Sequence, residues 1–443
     1  MRKPVYYIDA QKKRIARSPL AKRLIDGISW TLVGNIIGKF LQLLAFIFVA
    51  RILGKEAYGQ VGIVRSTLMM FLIFSSAGMG ITATRYIARY RNSNPHNAYL
   101  VYNFTQKTVF WVGLIFSLLV FLSSSFIAEK QLNSVQLSDA LKIGAVTLFF
   151  MTLSSVQTGS LNGFERFKKL GINTAINGFI QLVSVVLGAY LWGINGVVLG
   201  LGIASLVLIV QLHFALRDDI HRCKNTFKSL ETEKFNAKSV FIQFSLPAIL
   251  QSLVYIPVLW WAKTYLINQS NYSEMAIFDV AEQWYYVVLF IPTSLSSIVL
   301  PLLTNVNYSS SGNQYNKLLK FNLWLNIGIS VVAALAVALF APIIYKFYGT
   351  EFTDFRPLLV LLITVVVSAA NNVFGQVIAS KGIMWIGFMV NLLWAIWLIL
   401  FSIIFIGNMQ KGAVGLAYAL LISYLLHSIA QGFVALRLKL VKN

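Results

Sequence analysis

Apolar runs of about 20 residues recur along this chain from end to end, and ~20 residues of helix span a hydrocarbon core of roughly 30 Å. That feature excludes most folds at once. Inside a bilayer every backbone N–H and C=O must be paired within the protein, so continuous apolar runs become helices. A transmembrane barrel would show short segments alternating apolar and polar instead. Composition agrees: 57% of the 443 residues are apolar and only 12% are charged, well below the charged share of ordinary soluble domains. The expected fold is an all-α membrane protein.

Hydropathy divides the chain into twelve spans, at 28–50, 58–82, 105–127, 140–160, 172–192, 196–216, 240–266, 275–303, 318–341, 355–379, 383–407 and 412–436. With the N-terminus placed inside, 27 of the 37 Lys and Arg residues fall on the inner side and seven on the outer. Cytoplasmic loops collect Lys and Arg, so both termini are expected in the cytoplasm. The same bias accounts for most of the formal net charge of +22, and nucleic acid is not needed to explain it. The basic arm "QKKRIARSPLAKR" either rests on anionic headgroups or serves only to set topology. No signal peptide is expected, because the first apolar run is too long for one.

The longest polar interruption, Asp218–Ser239, follows the sixth span. It predicts a basic arm (1–27), an N-lobe of six spans (28–217), a linker (218–239), a C-lobe of six spans (240–436) and a tail (437–443). A short internal similarity supports a repeat: "FALR" at Phe214–Arg217 closes span six, and "VALR" at Val434–Arg437 closes span twelve. Halves with an even number of spans are related by an axis along the membrane normal, with substrate between them near the midplane.

Signals for catalysis are missing. Cys223 is the single cysteine, the four histidines are scattered, and no phosphate-binding loop, HExxH or GxSxG pattern occurs. No loop is long enough to hold a catalytic domain. A transporter is expected, with no catalytic residues, cofactor or metal.

Three basic residues lie within spans: Lys39, Arg65 and Lys263. The acids within spans are Asp279 and Glu282, whose i,i+3 spacing puts them on one helix face. A charge at helix centre costs ~2.5–3.5 kcal/mol, so such residues usually face a cavity or a partner. All five fall on the first two spans of each half, which would line the cleft between the halves. Lys263 could equally snorkel to the outer interface. The two acids could equally serve the helix dipole, pair with Lys263 as a structural bridge, or carry a coupling H⁺ or Na⁺. Arg65 and Lys39 are farther from water. Arg binds phosphate through a planar, bidentate fork, so their cavity suits an anion. With no acid near it in sequence, Arg65 is expected to meet its counter-charge on the substrate. Nearby aromatics, Trp261 and Trp284 among them, either stack on sugar rings or form an interfacial belt.

Phe48–Arg91 reads "FVARILGKEAYGQVGIVRSTLMMFLIFSSAGMGITATRYIARYR". An Ala-Arg-x-Leu-Gly turn follows span one, Tyr-Gly opens span two, and a Gly-containing end leads into Arg-Tyr-Ile-Ala. This segment resembles the polysaccharide transporter family, which includes the O-antigen flippases. The loop "LNGFERFKKLGI" at Leu161–Ile172 and the twelve-span layout agree. The resemblance implies the multidrug/oligosaccharidyl-lipid/polysaccharide exporter fold: two pseudo-symmetric six-helix lobes around a central cavity, working by alternating access. It implies an undecaprenyl-diphosphate-linked oligosaccharide as substrate and the bacterial cytoplasmic membrane as location. Membrane lipids and the pathway's polymerase and chain-length proteins are the candidate partners. Relatives that flip peptidoglycan precursor carry basic residues in spans one and two, which Lys39 and Arg65 match by span and depth, not by motif. Those relatives have spans beyond twelve, and this chain departs from them there. Two alternatives stay open: a multidrug/cation antiporter of the same superfamily, whose cavity should be rich in acids, and an integral-membrane polysaccharide polymerase, which should display a large catalytic loop.

Overall fold

The computed structural model describes residues 19–225, 246–309, 312–380 and 384–440. Most of the basic arm, the linker beyond Asn225 and the last residues of the tail lie outside them.

Among the described residues the apolar runs fold into twelve α-helices: α1 (Pro19–Leu53), α2 (Lys55–Ser76), α3 (Met79–Ser93), α4 (Pro95–Phe126), α5 (Leu137–Gly163), α6 (Phe167–Asn225), α7 (Leu246–Gln269), α8 (Tyr272–Ser309), α9 (Gly312–Tyr348), α10 (Arg356–Ser380), α11 (Met384–Ser402) and α12 (Gly412–Leu440). Among the described residues, nine stretches are long and apolar enough to cross a membrane. Helices and passes do not correspond one to one. The 59-residue α6 breaks at Trp192 and Gly193, where Gly193 takes φ 59°, and folds back to cross twice. Its two limbs meet at Gly188 and Gly196, where a Cβ on either would fall about 2 Å from the other's carbonyl oxygen. In the other direction, α2 stops at Ala77 and Gly78, both left-handed, and α3 continues it past the break along α5. With α7 and α8 added, the chain makes the expected twelve passes.

Helices α1–α6 form one lobe and α7–α12 the other. The lobes meet through α2, which packs against α7 and α8, while α1 meets α8 only sparsely. One end of this seam is closed. There Arg51 Nε donates to the Phe347 carbonyl (2.6 Å) and the Lys55 amide to Glu351 Oε2 (2.9 Å). Asn133 Nδ2 donates to Asn268 Oδ1 (2.9 Å), and the Tyr272 hydroxyl to the Leu132 carbonyl. Tyr58 packs edge-on against Tyr348 and Phe352, with ring centroids 6.2 and 5.9 Å away. Deeper along the seam, Trp260 Nε1 donates to Thr67 Oγ1 (2.9 Å). The opposite end carries Arg85, Arg89, Arg91 and Arg166–Lys169, and is the basic end.

Candidate functional site

Beneath the seal lies a cavity of about 400 Å³, walled by α1, α2, α7 and α8. Three of these helices contribute a face with one spacing. Lys39, Gln42, Leu43 and Phe46 on α1, and Gly62, Arg65, Ser66 and Met69 on α2, follow i, i+3, i+4, i+7. On α8 the same series runs Asp279, Glu282, Gln283, Tyr286, and α7 adds Tyr255, Leu259 and Lys263. All five charged residues singled out from the sequence therefore line one space. At 1.5 Å per residue, Arg65 sits about 15 Å from the sealed end of its helix and Lys39 about 21 Å.

Close helix packing sets the geometry. A Cβ at Gly59 would lie 1.9 Å from the Tyr272 carbonyl oxygen, and one at Gly62 3.2 Å from the Asp279 carboxyl carbon. With no side chains there, α2 comes close enough to α8 for Arg65 to reach Asp279. Arg65 Nη2 donates to Asp279 Oδ1 at 2.7 Å. The Arg65 side chain is 17% exposed and faces the cavity, while Asp279 is 2% exposed. The guanidinium also lies over the Phe46 ring, 4.3 Å from its centroid.

One turn farther along α8, Lys263 Nζ donates to Glu282 Oε2 at 2.6 Å. This pair is buried and lies within one lobe, with side chains 6% and 10% exposed. Lys263 does not snorkel. The fifth charge has no such partner: Lys39 is exposed at the cavity, 5.5 Å from the Phe290 ring centroid, with no acid near it among the described residues. The wall thus holds three bases and two acids, with both acids engaged.

The structure departs from the sequence-based expectation twice. Arg65 does not wait for its counter-charge, because Asp279 supplies one from a helix more than two hundred residues away. Trp261 and Trp284 do not line the cavity. Trp261 stacks on Tyr265 at 5.2 Å, and Trp284 packs against the core. At 3.6 residues per turn, Trp261 lies on the far side of α7 from Tyr255 and Leu259. The aromatics on the wall are Phe46, Tyr255 and Tyr286.

Sequence reasoning missed Gln283. Its Nε2 donates to Asp279 Oδ2 (2.8 Å) and to the Tyr58 hydroxyl, and the Tyr348 hydroxyl donates to its Oε1 (3.5 Å). It thereby joins the charged layer to the aromatic seal. Its place one turn from Asp279 on the same face was the available signal.

Residues 24–307, well over half of the chain, match the family described as polysaccharide biosynthesis protein. The chain belongs to that family. Among curated relatives, a Shigella flexneri protein described as a candidate O-antigen transporter is 25% identical over 216 residues, covering 47% of this chain and 51% of that protein. The EPS I polysaccharide export inner membrane protein EpsE of Ralstonia nicotianae is 27% identical over 149 residues, 32% of this chain and 34% of the relative. The matched stretches thus span about half of one curated relative and a third of the other.

Solved structures extend the likeness in fold to almost the whole chain. An inward-facing multidrug resistance MATE family transporter of the MOP superfamily superposes with TM-score 0.75 at 13% identity, over 92% of this chain and 99% of that one. A MOP superfamily transporter from Pyrococcus furiosus, described as having a binding pocket of reversed polarity, gives 0.70 at 13% identity over 97% and 98%. The all-α fold is that of the MOP transporters.

Proposed function

We propose that this family member is a flippase, moving an undecaprenyl-diphosphate-linked oligosaccharide unit across the cytoplasmic membrane for surface polysaccharide assembly. The observation that carries the reading is the state of the cavity charges. Lys39 and Arg65 face the same space, Lys39 has no acid beside it, and Arg65 holds its acid by one short contact while remaining partly open to the cavity. A diphosphate offers more oxygens in the planar geometry that guanidinium favours. It exchanges with Asp279 on Arg65 and takes Lys39 as its second base. Asp279 is then held by Gln283 alone, and the Gln283–Tyr58 contact is the place where that exchange reaches the seal.

On this reading the basic end faces the cytoplasm, both termini included, and the sealed end faces outward. The assignment of 28–217 and 240–436 as lobes, 218–239 as linker, 1–27 as arm and 437–443 as tail belongs to the same reading. Transport of sugars for polymerisation outside would make a polymerase and a chain-length protein its functional neighbours. The names of the curated relatives, O-antigen transport and polysaccharide export at the inner membrane, support the substrate class and location. A cation or drug antiporter is disfavoured because both cavity acids are engaged by bases. A polymerase is disfavoured by the transporter fold.

Substitution of Arg65 tests the reading. Surface polysaccharide, measured at matched protein levels, is expected to fall about tenfold or more in Arg65→Ala, since hydrogen bonds to charged groups are worth ~1.5–3 kcal/mol. Arg65→Lys is expected to recover part of it. Normal output from Arg65→Ala removes Arg65 from the mechanism.

A further inference from the structure

Toward the basic end the N-lobe holds a second pocket, of about 330 Å³, in the size range of small-ligand sites. It lies where α2 breaks. Ala77 and Gly78 are both left-handed there, and the chain resumes as α3. The new helix crosses α5 in close contact, because a Cβ on Gly159 would collide with the Gly80 carbonyl oxygen.

Periodicity fixes which way the pocket opens. On α2, Gly62, Arg65, Ser66 and Met69 line the charged cavity, and Ile73 and Ser76 line this pocket. They fall at i, i+3, i+4, i+7, i+11 and i+14, one continuous helix face. The two spaces therefore lie on the same side of α2. At 1.5 Å per residue, Ser76 is about 16 Å farther from the seal than Arg65. Opposite it, α5 presents Ser155, Thr158 and Asn162, at i, i+3 and i+7, and α3 adds Ile81 and Thr84.

No residue lining this pocket is charged, and none is aromatic. Its chemistry is that of hydroxyls and an amide. Three hydroxyls donate to backbone carbonyls: Ser76 to Ile73 (3.2 Å), Thr84 to Gly159 (2.9 Å) and Ser155 to Thr152 (2.7 Å). Each keeps its oxygen as an acceptor. Thr158 and Asn162 differ, since among the described residues their side chains make no hydrogen bond. A hydroxyl and an amide bring donors as well as acceptors, so the α5 wall offers what the other walls have spent. Ile73 and Ile81 supply apolar contact beside them. A sugar ring matches this lining, with hydroxyls that both donate and accept around a C–H face. A phosphate or carboxylate does not, because nothing here balances its charge.

The seal gives the pocket its place in the substrate. Beyond Arg65 on the outer-seal side, Tyr58, Tyr348 and Phe352 are packed together. A glycan whose diphosphate sits at Arg65 and Lys39 runs the other way along α2, toward Ser76. We propose that this N-lobe pocket is a glycan subsite, which takes an uncharged sugar residue of the lipid-linked oligosaccharide through hydrogen bonds to Thr158 and Asn162. Arg65 and Lys39 then read the diphosphate, and the α5 wall reads the sugar. The inference rests on the flippase reading, and two probes separate them.

The probes are undecaprenyl diphosphate without sugar and the oligosaccharide-bearing form extracted from cells that make this protein. Binding of each is measured with the purified protein in nanodiscs. Thr158→Val with Asn162→Leu is expected to raise Kd about tenfold for the glycan-bearing probe, the worth of two neutral hydrogen bonds. Kd for the bare diphosphate is expected to stay within about twofold, which also reports that the variant is folded. Unchanged binding of the glycan-bearing probe overturns the proposal. So does an equal loss for both probes in Thr158→Val alone, which exchanges one hydroxyl for a methyl. A wild type that binds neither probe, or an Arg65→Ala variant that binds both as the wild type does, overturns the flippase reading instead. Thiol protection gives a second measurement. Thr158→Cys is expected to be labelled by a small methanethiosulfonate, with little background because Cys223 is buried. The glycan-bearing probe is expected to slow that labelling several-fold and the bare diphosphate to leave it unchanged. Equal protection by the two probes, or protection by neither, overturns the subsite.

Discussion

Two ion pairs sit one turn apart on α8, and they differ in whom they join. Glu282 pairs with Lys263 inside its own lobe, whereas Asp279 pairs with Arg65 across the seam. Both are short and both are largely shielded from water. The first can persist through any rigid movement of the lobes. The second lies in the layer where the lobes meet, so its geometry changes whenever they separate there. Two residues of similar chemistry, three positions apart, thus divide into a brace and a latch.

The comparison can be broken in three ways, taken from the largest effect to the smallest. Arg65→Ala leaves Asp279 buried without its partner, and breaking a buried pair this way costs about 3–5 kcal/mol. Adding Asp279→Asn is expected to restore most of the thermal stability in detergent but not polysaccharide output. If the double variant recovers output, the pair is a brace like the other. The reverse is expected at the inner pair. Lys263→Met alone should destabilise by a similar few kcal/mol, while Lys263→Met with Glu282→Leu should return to within about 1–2 kcal/mol of the parent and keep exporting. Loss of export in that stable double variant would give Glu282 a role beyond bracing. The mildest change is Gln283→Leu, which removes the bonds to Asp279 and Tyr58 for about 1–3 kcal/mol. It is expected to loosen the seal, read as faster thiol labelling of a reporter Ala57→Cys, half-buried in the first turn of α2. The single native cysteine, Cys223, is buried and gives little background.

Much of this arrangement was legible in the chain. Apolar run length gave the number of passes, and Lys39, Arg65, Lys263, Asp279 and Glu282 were each visible as charges in apolar surroundings. What periodicity cannot express is partnership. Arg65 and Asp279 meet because Gly59 and Gly62 let two distant helices approach, and nothing local to Arg65 announces a helix that begins at Tyr272. The tryptophans fail for another reason. Richness in aromatics drew attention to Trp261 and Trp284, but wall membership follows angle around the helix, and Tyr255 and Tyr286 hold the right angle. Gln283 was overlooked because an uncharged side chain in a span raises no alarm, although here it links two layers.

The Lys55–Glu351 contact has a consequence of its own. The residue before α2 is Gly54, with φ 78° and no side chain to cap the helix. The first amide of α2 instead donates to a carboxylate on the opposite lobe. A negative charge at a helix N-terminus stabilises it by about 0.3–1 kcal/mol at exposed sites. The helix that carries Arg65 is therefore capped only while the lobes are joined at this end. Opening the sealed end exposes the start of α2 to water and gives up that charge–dipole attraction, so the closed seal is favoured by the macrodipole of the helix beneath it.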